Sequence, residues 1–190
     1  MIIFEDYING YIHKTDYQME EVRKNFDKVI SILGEEDEND FIACITLRLK
    51  NKVNGIRTDW VIANSVANAL QILISKRFWG RKSRKEKMPY VSSVESSKKK
   101  DKEHLHILVR LKDLKEPFEE FELDAILRGI CNSLEEVNEK IPDAVKIRIY
   151  PFLENQYKIV GNAIHYICKS STNENKPLLR QLKDGTLINQ

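Results

Sequence analysis

Two of the four histidines in the chain lie one residue apart, in the apolar stretch KEHLHILVRL at residues 102–111. Such a stretch is typical of a β-strand, and the side chains of a strand alternate between its two faces. His104 and His106 are therefore expected on one face, with four aliphatic residues on the other. Two imidazoles side by side could supply half of a metal site.

A carboxylate that could complete this site lies at the end of the preceding predicted strand. If residues 96–103 close a hairpin between two antiparallel strands, Glu95 lies across from His104. Two neutral imidazoles and one carboxylate suit Mn²⁺, Mg²⁺ or another divalent ion that keeps open positions for water. Taken singly, each of the three is more simply an exposed polar residue, so the prediction depends on their joint placement.

A candidate nucleophile lies further along the chain, in the stretch HYICKS. Tyr166 and Lys169 are three residues apart, which places a phenol beside an ammonium group on one helical face. A tyrosine hydroxyl is a weak nucleophile at neutral pH, but a nearby cation and a metal-polarised phosphate ester make attack feasible. The alternative is that Tyr166 covers the core and Lys169 is a solvated charge. His165 points about 100° away around the helix, so we expect a structural or DNA-contacting role for it.

The charge of the chain is unevenly distributed. The net charge is +2, but residues 76–102 contain eleven basic and three acidic residues, a local surplus of +8 that leaves −6 for the rest. This segment includes Phe78 and Trp79, a composition suited to phosphates and stacked bases. Its candidates for contact with DNA are Arg77, Arg81, Lys82, Arg84 and Lys85. The alternative is a solvated helix end followed by a charged loop.

Three basic residues on other predicted strands are further candidates for phosphate contacts. Arg110 shares a strand face with the two histidines, and Lys146 and Arg148 share one face of a later strand.

The remaining patterns predict an α+β fold. An amphipathic helix is expected from Thr15 to Gly34, followed by an acidic connector to residue 40. Strands are then expected at 41–50, 89–96, 104–111 and 145–152, and helices at 60–80, at 118–140 and from 160 onward. From residue 41 this order is that of the ferredoxin-like split βαβ arrangement, an antiparallel sheet covered by helices, with one added helix.

Composition and cysteine placement narrow the class of protein. The 190 residues, 42% of them hydrophobic, suffice for one well-packed domain. No apolar stretch approaches the roughly 20 residues of a membrane-spanning helix, and the N-terminus is acidic too early for a signal peptide, so we expect a cytoplasmic protein. Cys44, Cys131 and Cys168 are far apart in apolar segments, which suits reduced core thiols better than disulfides or zinc ligands.

The three motifs together resemble the signature of the HUH endonucleases, in particular the catalytic domains of rolling-circle replication initiators, the Rep proteins. The His-hydrophobe-His strand of that family is matched by His104 to His106, its acidic metal ligand by Glu95, and its Tyr-x-x-Lys helix by Tyr166 to Lys169. The motifs occur in the family's order within residues 41–172, where FIACITLRLK resembles the early strand of such domains. Residues before 41 match no part of the family.

The resemblance implies metal-assisted cleavage and rejoining of single-stranded DNA at an origin. A divalent metal, Mg²⁺ or Mn²⁺, held by Glu95, His104 and His106 would polarise the scissile phosphate. Tyr166 would attack it, releasing a 3′-hydroxyl and keeping the 5′ end as a phosphotyrosine, while Lys169 would hold the phosphate or assist the phenol. Single-stranded DNA or an origin hairpin is the expected partner. Because the seven glycines form no P-loop motif, unwinding would require a separate helicase.

The predicted division of the chain is a helix and connector at 1–40, a HUH-type nicking domain at 41–172 and a C-terminal tail at 173–190. A single-tyrosine transposase or a relaxase is an alternative with the same chemistry. Relaxases usually supply a third histidine ligand, which is not evident here, and the Tyr-x-x-Lys helix favours Rep proteins over the transposases.

Two other classes of function remain open. A non-catalytic ferredoxin-like domain could bind RNA or DNA on its sheet, but it would need exposed aromatic residues on its central strands. A small metal-binding protein unrelated to nucleic acid would leave the basic segment unexplained. Convergence of Glu95, His104, His106 and Tyr166 on one point would distinguish a nuclease from both.

Overall fold

The computed structural model describes residues 16–35, 37–97, 102–152, 179–181 and 187–189. Within these ranges the chain forms three α-helices and a four-stranded antiparallel sheet, an α+β fold. The helix predicted from residue 160 lies outside the described residues, and so do four residues singled out on it: His165, Tyr166, Cys168 and Lys169.

The elements follow the predicted order along the chain. Helices α1, α2 and α3 span Asp16–Leu33, Trp60–Trp79 and Glu120–Asn132, and a short 3₁₀ helix at Gly80–Arg84 follows α2. Strands β1 to β6 span Phe41–Arg48, Lys52–Val53, Ile56–Arg57, Tyr90–Ser97, Lys102–Leu111 and Val145–Pro151. Strands β7 (Leu179–Gln181) and β8 (Leu187–Asn189) pair with each other. The four long strands and the first two helices confirm the predictions.

Helix α3 ends earlier than the predicted residue 140, because the chain that follows it pairs with the end of β1. The backbone N–H of Lys50 donates to the carbonyl of Glu136 at 2.8 Å, and that of Asn138 donates to the carbonyl of Arg48 at 3.0 Å. Val137, whose spacing continues the apolar face of the helix, is buried beside this pairing. Tertiary contacts therefore override the helical periodicity in this segment.

The four long strands form a sheet in the order β4-β5-β1-β6, in which every neighbouring pair is antiparallel. Strands β4 and β5 form a hairpin, whereas β1 and β4, the strands on either side of helix α2 in the chain, are separated in the sheet by β5. This topology is compatible with the expected ferredoxin-like arrangement.

The main core lies between one face of the sheet and helices α2 and α3. Alternate residues of β5 face this core, as the period of two requires: Leu105, Ile107, Val109 and Leu111. His104 and His106 lie on the opposite side of the sheet, which we call the histidine face. Helix α1 covers the end of the histidine face near Leu111, where the carbonyl of Leu33 accepts a hydrogen bond from Arg110.

Two of the three cysteines lie among the described residues, and both are free thiols. Burial raises the pKa of Cys44 and of Cys131 to about 12, so both are protonated at neutral pH. Cys131 is buried in the main core, which confirms the prediction of a core thiol there, whereas Cys44 is only partly buried and lies on the histidine face of β1. The described helices also include none that is long and apolar enough to cross a membrane.

Candidate active site

The two histidines lie on β5, an interior strand, and each has a neighbour on both sides in the sheet. His104 pairs in register with Glu95 of β4 and with Arg48 of β1. The predicted hairpin and the position of Glu95 across from His104 are therefore confirmed. His106 pairs with Ser93 of β4 and Thr46 of β1, so that two adjacent rows of polar residues cross the histidine face at this end of the sheet.

The ring of His106 is held by a residue that the sequence analysis did not single out. His106 is only 6% exposed, and its Nδ1 lies 3.1 Å from the hydroxyl of Thr46, within hydrogen-bonding distance. A histidine whose Nδ1 is bonded to a protein group presents Nε2 to a metal, and such a bond fixes the orientation of the ring. Alternation along β1 would have identified Thr46, had the register with β5 been known.

The two imidazole rings stand side by side on the strand. Their centroids are 6.5 Å apart and their planes differ by 8°. The lone pairs of ring nitrogens lie in the ring planes, so one ring must turn before both nitrogens can bind a single ion. Among the side chains that the structure describes, no three His, Cys, Asp or Glu groups are grouped to hold a metal. The side chain of Glu95 is not among those described.

The types of donor nevertheless fit a divalent cation. Imidazole nitrogen and carboxylate oxygen both bind first-row divalent metals, and carboxylate with water suits Mg²⁺ and Mn²⁺. When the Nδ1–H of His106 donates to the hydroxyl of Thr46, this hydrogen bond supplies the outer-shell support that ligating histidines usually have, and Nε2 keeps its lone pair for the metal. Glu95, His104 and His106 are therefore the residues that would hold such an ion.

Three cations border the polar rows on the histidine face. Arg48 is the register partner of His104, and Lys146 and Arg148 of β6 pair in register with Thr46 and Cys44 of β1. Lys146 and Arg148 are exposed, as a role in phosphate contacts requires. Arg48, which sequence reasoning missed, forms no ion pair within the described part of the chain and lies nearest to the histidines.

Arg110 also lies on the histidine face, but its guanidinium has protein partners in place of the predicted phosphate. It forms an ion pair of 2.6 Å with Asp40, donates to the carbonyl of Leu33 at 2.7 Å and lies 4.9 Å from the ring centre of Phe152. Burial raises the pKa of Asp40, and the ion pair with Arg110 opposes that rise. Arg110 is thus a structural residue that ties α1 and the acidic connector to the sheet.

Replacing Arg110 with methionine is expected to lower the free energy of unfolding by about 3–5 kcal/mol, because it leaves the buried carboxyl group of Asp40 without its partner. The matched control is Arg148→Met on the same face, where the side chain is exposed and the expected change is below about 0.5 kcal/mol. Urea unfolding followed by circular dichroism measures both. Equal stabilities of the two variants would contradict the structural role of Arg110.

The fold places the first part of the basic segment far from the histidines. Residues 76–87 lie between the end of α2 and the start of β4, at the end of the sheet opposite to His104. Tyr90 and Glu95 are five positions apart on β4, a distance of about 17 Å along the strand. The five predicted DNA contacts are all exposed at this far end: Arg77, Arg81, Lys82, Arg84 and Lys85.

The two aromatic residues of the basic segment are not available to stacked bases, contrary to the prediction. Phe78 and Trp79 are 6% and 2% exposed and belong to the main core. Phe78 meets the ring of Phe118 edge to face, and the indole N–H of Trp79 donates to the carbonyl of Lys112 at 2.8 Å. Their spacing in the sequence reflects the buried face of α2.

Comparisons with known proteins found no match to this chain among protein-family models, curated proteins or solved structures.

Proposed function

We propose that this protein is a replication initiator endonuclease of the HUH type, which nicks and rejoins single-stranded DNA through a phosphotyrosine intermediate. The observation that carries the proposal is the register of β4 and β5. Glu95 pairs with His104, and His106 lies on the same face in the adjacent row of residues. The strand order β4-β5-β1-β6 supports it, because the HUH domains that the sequence motifs resemble have a ferredoxin-like sheet.

Glu95, His104 and His106 would hold a Mg²⁺ or Mn²⁺ ion in this enzyme. When bound, such an ion polarises a phosphate and offsets the negative charge that develops during its cleavage. Thr46 fixes the ring of His106 through its hydrogen bond.

The cations of the histidine face have the chemistry to hold the DNA strand. The guanidinium of Arg48, beside His104 in register, can bind two oxygens of one phosphate, a geometry that lysine cannot provide. Lys146 and Arg148 on β6 extend the positive surface toward neighbouring phosphates. These contacts would position the strand without reading its bases.

Tyr166 is the proposed nucleophile. Its phenolic oxygen forms a bond to phosphorus as the bond from phosphorus to the 3′ oxygen breaks, and the phenol proton is lost while the released 3′ oxygen gains one. Lys169 would hold the phosphate or assist the phenol. A new 3′-hydroxyl rejoins the strand by the reverse reaction, so no external energy source is needed.

A non-catalytic nucleic-acid-binding domain fits the histidine face less well. Sheets that bind single strands by stacking present aromatic residues on their central strands. On the histidine face of β1 and β5, the described residues include no aromatic ring other than the two imidazoles.

Removal of divalent metal is expected to abolish nicking. A long circular single-stranded DNA offers many sequences, and one cut converts it to a linear form that a gel resolves. We expect linear DNA with Mn²⁺ or Mg²⁺, none with EDTA, and recovery when excess Mn²⁺ is added. Cleavage that persists in EDTA would contradict the metal site, and binding without cleavage under every condition would favour a non-catalytic domain.

A further inference from the structure

A strongly acidic segment of the chain lies beside the basic one. Residues 116–124 contain five carboxylates and no basic residue, whereas residues 76–87 contain seven basic residues and one carboxylate. The rings of Phe78 and Phe118 join the two segments, with their centroids 5.6 Å apart. Surfaces of opposite charge therefore lie next to each other, at the end of the sheet opposite to His104.

The two segments are anchored to each other through Lys82. Its ammonium forms an ion pair of 2.8 Å with Asp113, which holds the pKa of that carboxyl below its usual value, and lies 4.4 Å from the ring centre of Trp79. Lys82 is thus an anchor of the basic segment, in place of its predicted role as a DNA contact.

Other cations of the basic segment are exposed and have no carboxylate partner within the described part of the chain. We call four of them the basic patch: Arg77, Arg81, Arg84 and Lys85. Because the neighbouring Trp79 is buried, the backbone that carries these side chains is held in place. The basic patch is therefore a preorganised positive surface without an anionic partner of its own.

The carboxylates of the acidic segment are only partly used inside the chain. Glu119 and Glu122 form the capping box of α3, and Asp124 forms an ion pair along the same helix. Glu116 and Glu120 are exposed and form no ion pair with another described residue. We call these two residues the acidic patch.

An exposed aromatic ring lies within the acidic segment. Phe121 is 73% exposed, more than any other large hydrophobic side chain in the ranges that the structure describes. Neighbouring carboxylates repel phosphates, so this ring is badly placed to contact nucleic acid. Aromatic residues and arginine are both enriched at protein–protein interfaces. The combined surface therefore has the composition of a protein contact.

We propose that this surface binds a second copy of the same chain, in a two-fold dimer in which the basic patch of each protomer faces the acidic patch of its partner. A two-fold interface places the same surface of both protomers against each other. Because each protomer carries a positive and a negative half side by side, this arrangement matches opposite charges twice. The ring of Phe121 becomes buried between the protomers.

The other possible occupants match only half of this surface. A nucleic acid would satisfy the basic patch but would be repelled by the acidic patch, and a purely acidic protein would meet the same repulsion. The dimer leaves both histidine faces open, since the two patches lie at the other end of the sheet from His104. The inference does not depend on the proposed nicking activity.

Reversal of charge on each half of the surface tests the dimer. The acidic-patch variant is Glu116→Lys with Glu120→Lys, which leaves the capping box of α3 intact. The basic-patch variant is Arg81→Glu with Arg84→Glu. Sedimentation velocity measures self-association at protein concentrations up to about 1 mM, where weak contacts are detected. Circular dichroism checks that each variant is folded.

The parent protein is expected to form dimers that dissociate as the salt concentration rises from about 0.1 M to about 1 M, because the Debye length falls from about 10 Å to about 3 Å. Each variant alone should be monomeric, since both halves of its surface then carry charge of the same sign. An equimolar mixture of the two variants should form heterodimers, because one chain then presents two positive halves and the other two negative halves.

Two further variants separate the aromatic contact from general effects of charge. Phe121→Ala should raise the dissociation constant of the dimer at least about 30-fold, the loss expected for a residue at the centre of an interface. The control variant, Lys28→Glu with Lys140→Glu, reverses two exposed lysines elsewhere and should stay within about twofold of the parent protein.

Three results would overturn the proposal: a parent protein that is monomeric at every concentration, a charge-reversal variant that dimerises like the parent, or a mixture of the two variants that stays monomeric. The first of these would leave the basic patch as a candidate DNA contact. The measurement contains neither DNA nor metal, so its failure leaves the nicking proposal intact, and a failure to nick leaves the dimer intact.

Discussion

Tyr166→Phe is expected to eliminate the covalent protein–DNA adduct while DNA binding and folding survive. The substitution removes one oxygen and almost no volume, and without that oxygen no bond to phosphorus can form. Loss of a covalent nucleophile lowers the rate on the order of 10⁴-fold or more. The parent protein, incubated with Mn²⁺ and single-stranded DNA, should yield a species that migrates more slowly on a denaturing gel and is attached through the 5′ phosphate.

Tyr150→Phe and Tyr157→Phe are the matched controls for this experiment. Both tyrosines lie close to Tyr166 in the sequence, but neither has a lysine three residues later, and Tyr150 lies on the histidine face of β6. Both variants should form the adduct at the parent level. Peptide mapping identifies the modified residue, and an adduct on Tyr157, or one that persists in Tyr166→Phe, would place the active site elsewhere.

Loss of either histidine is the second large effect that we expect. His104→Gln and His106→Gln should each lower the cleavage rate at least about 100-fold, because each removes a metal ligand. Mutation of an outer-shell partner alone typically lowers metal affinity or activity by about 10- to 100-fold, so the loss of a ligand should be at least as large. Glutamine keeps a polar side chain of similar length, which matters at His106 because it is 6% exposed and hydrogen-bonded. Calorimetric titration with Mn²⁺ should show weaker binding, and thermal unfolding checks the fold.

Thr46→Val tests the orientation of the His106 ring separately from the role of His106 as a metal ligand. Valine has nearly the shape of threonine but cannot bond Nδ1 of His106, so we expect a loss of about 10- to 100-fold in metal affinity or activity. Excess Mn²⁺ should restore most of the activity of Thr46→Val and little of that of His106→Gln.

A variant in which both His104 and His106 are replaced tests the metal site as a whole. Full activity of this variant in EDTA would exclude the two histidines as metal ligands.

The parts of the fold that sequence reasoning predicted correctly are those with local signals. Helix α2 begins after Asp59, whose carboxylate accepts hydrogen bonds from two backbone N–H groups, and ends at Gly80, and both caps are legible in the sequence. The position of Glu95 across from His104 was predictable because a polar loop joins two strands of matching length.

One local signal was present but missed. Asn54 and Gly55 have φ of 50° and 81°, the left-handed geometry of a two-residue hairpin turn, for which Asn-Gly is the strongest sequence signal. The strands it joins, β2 and β3, have only two residues each, too few for alternation to be visible.

The remaining errors concern contacts between distant segments. Alternation correctly assigned Arg110 to the histidine face, but nothing local indicates that α1 and Asp40 cover that end of the sheet. In the same way, the composition of the basic segment suggested stacking, whereas Trp79 is buried and its indole N–H donates to the carbonyl of Lys112, which is 33 residues away in the chain. How deeply a residue is buried depends on how the helices and strands pack together, and the periodicity of the sequence alone does not predict it.

The interior position of β1 has a consequence for the synthesis of the protein. Its neighbours in the sheet, β5 and β6, follow it in the chain, and Thr46 reaches its partner His106 only 60 residues later. The nascent strand FIACITLR therefore leaves the ribosome with both edges unpaired, a state in which β-prone apolar segments aggregate. The acidic run of residues 35–40 directly precedes it. We expect this run to act as a gatekeeper that keeps β1 from pairing with other chains until β6 has been made.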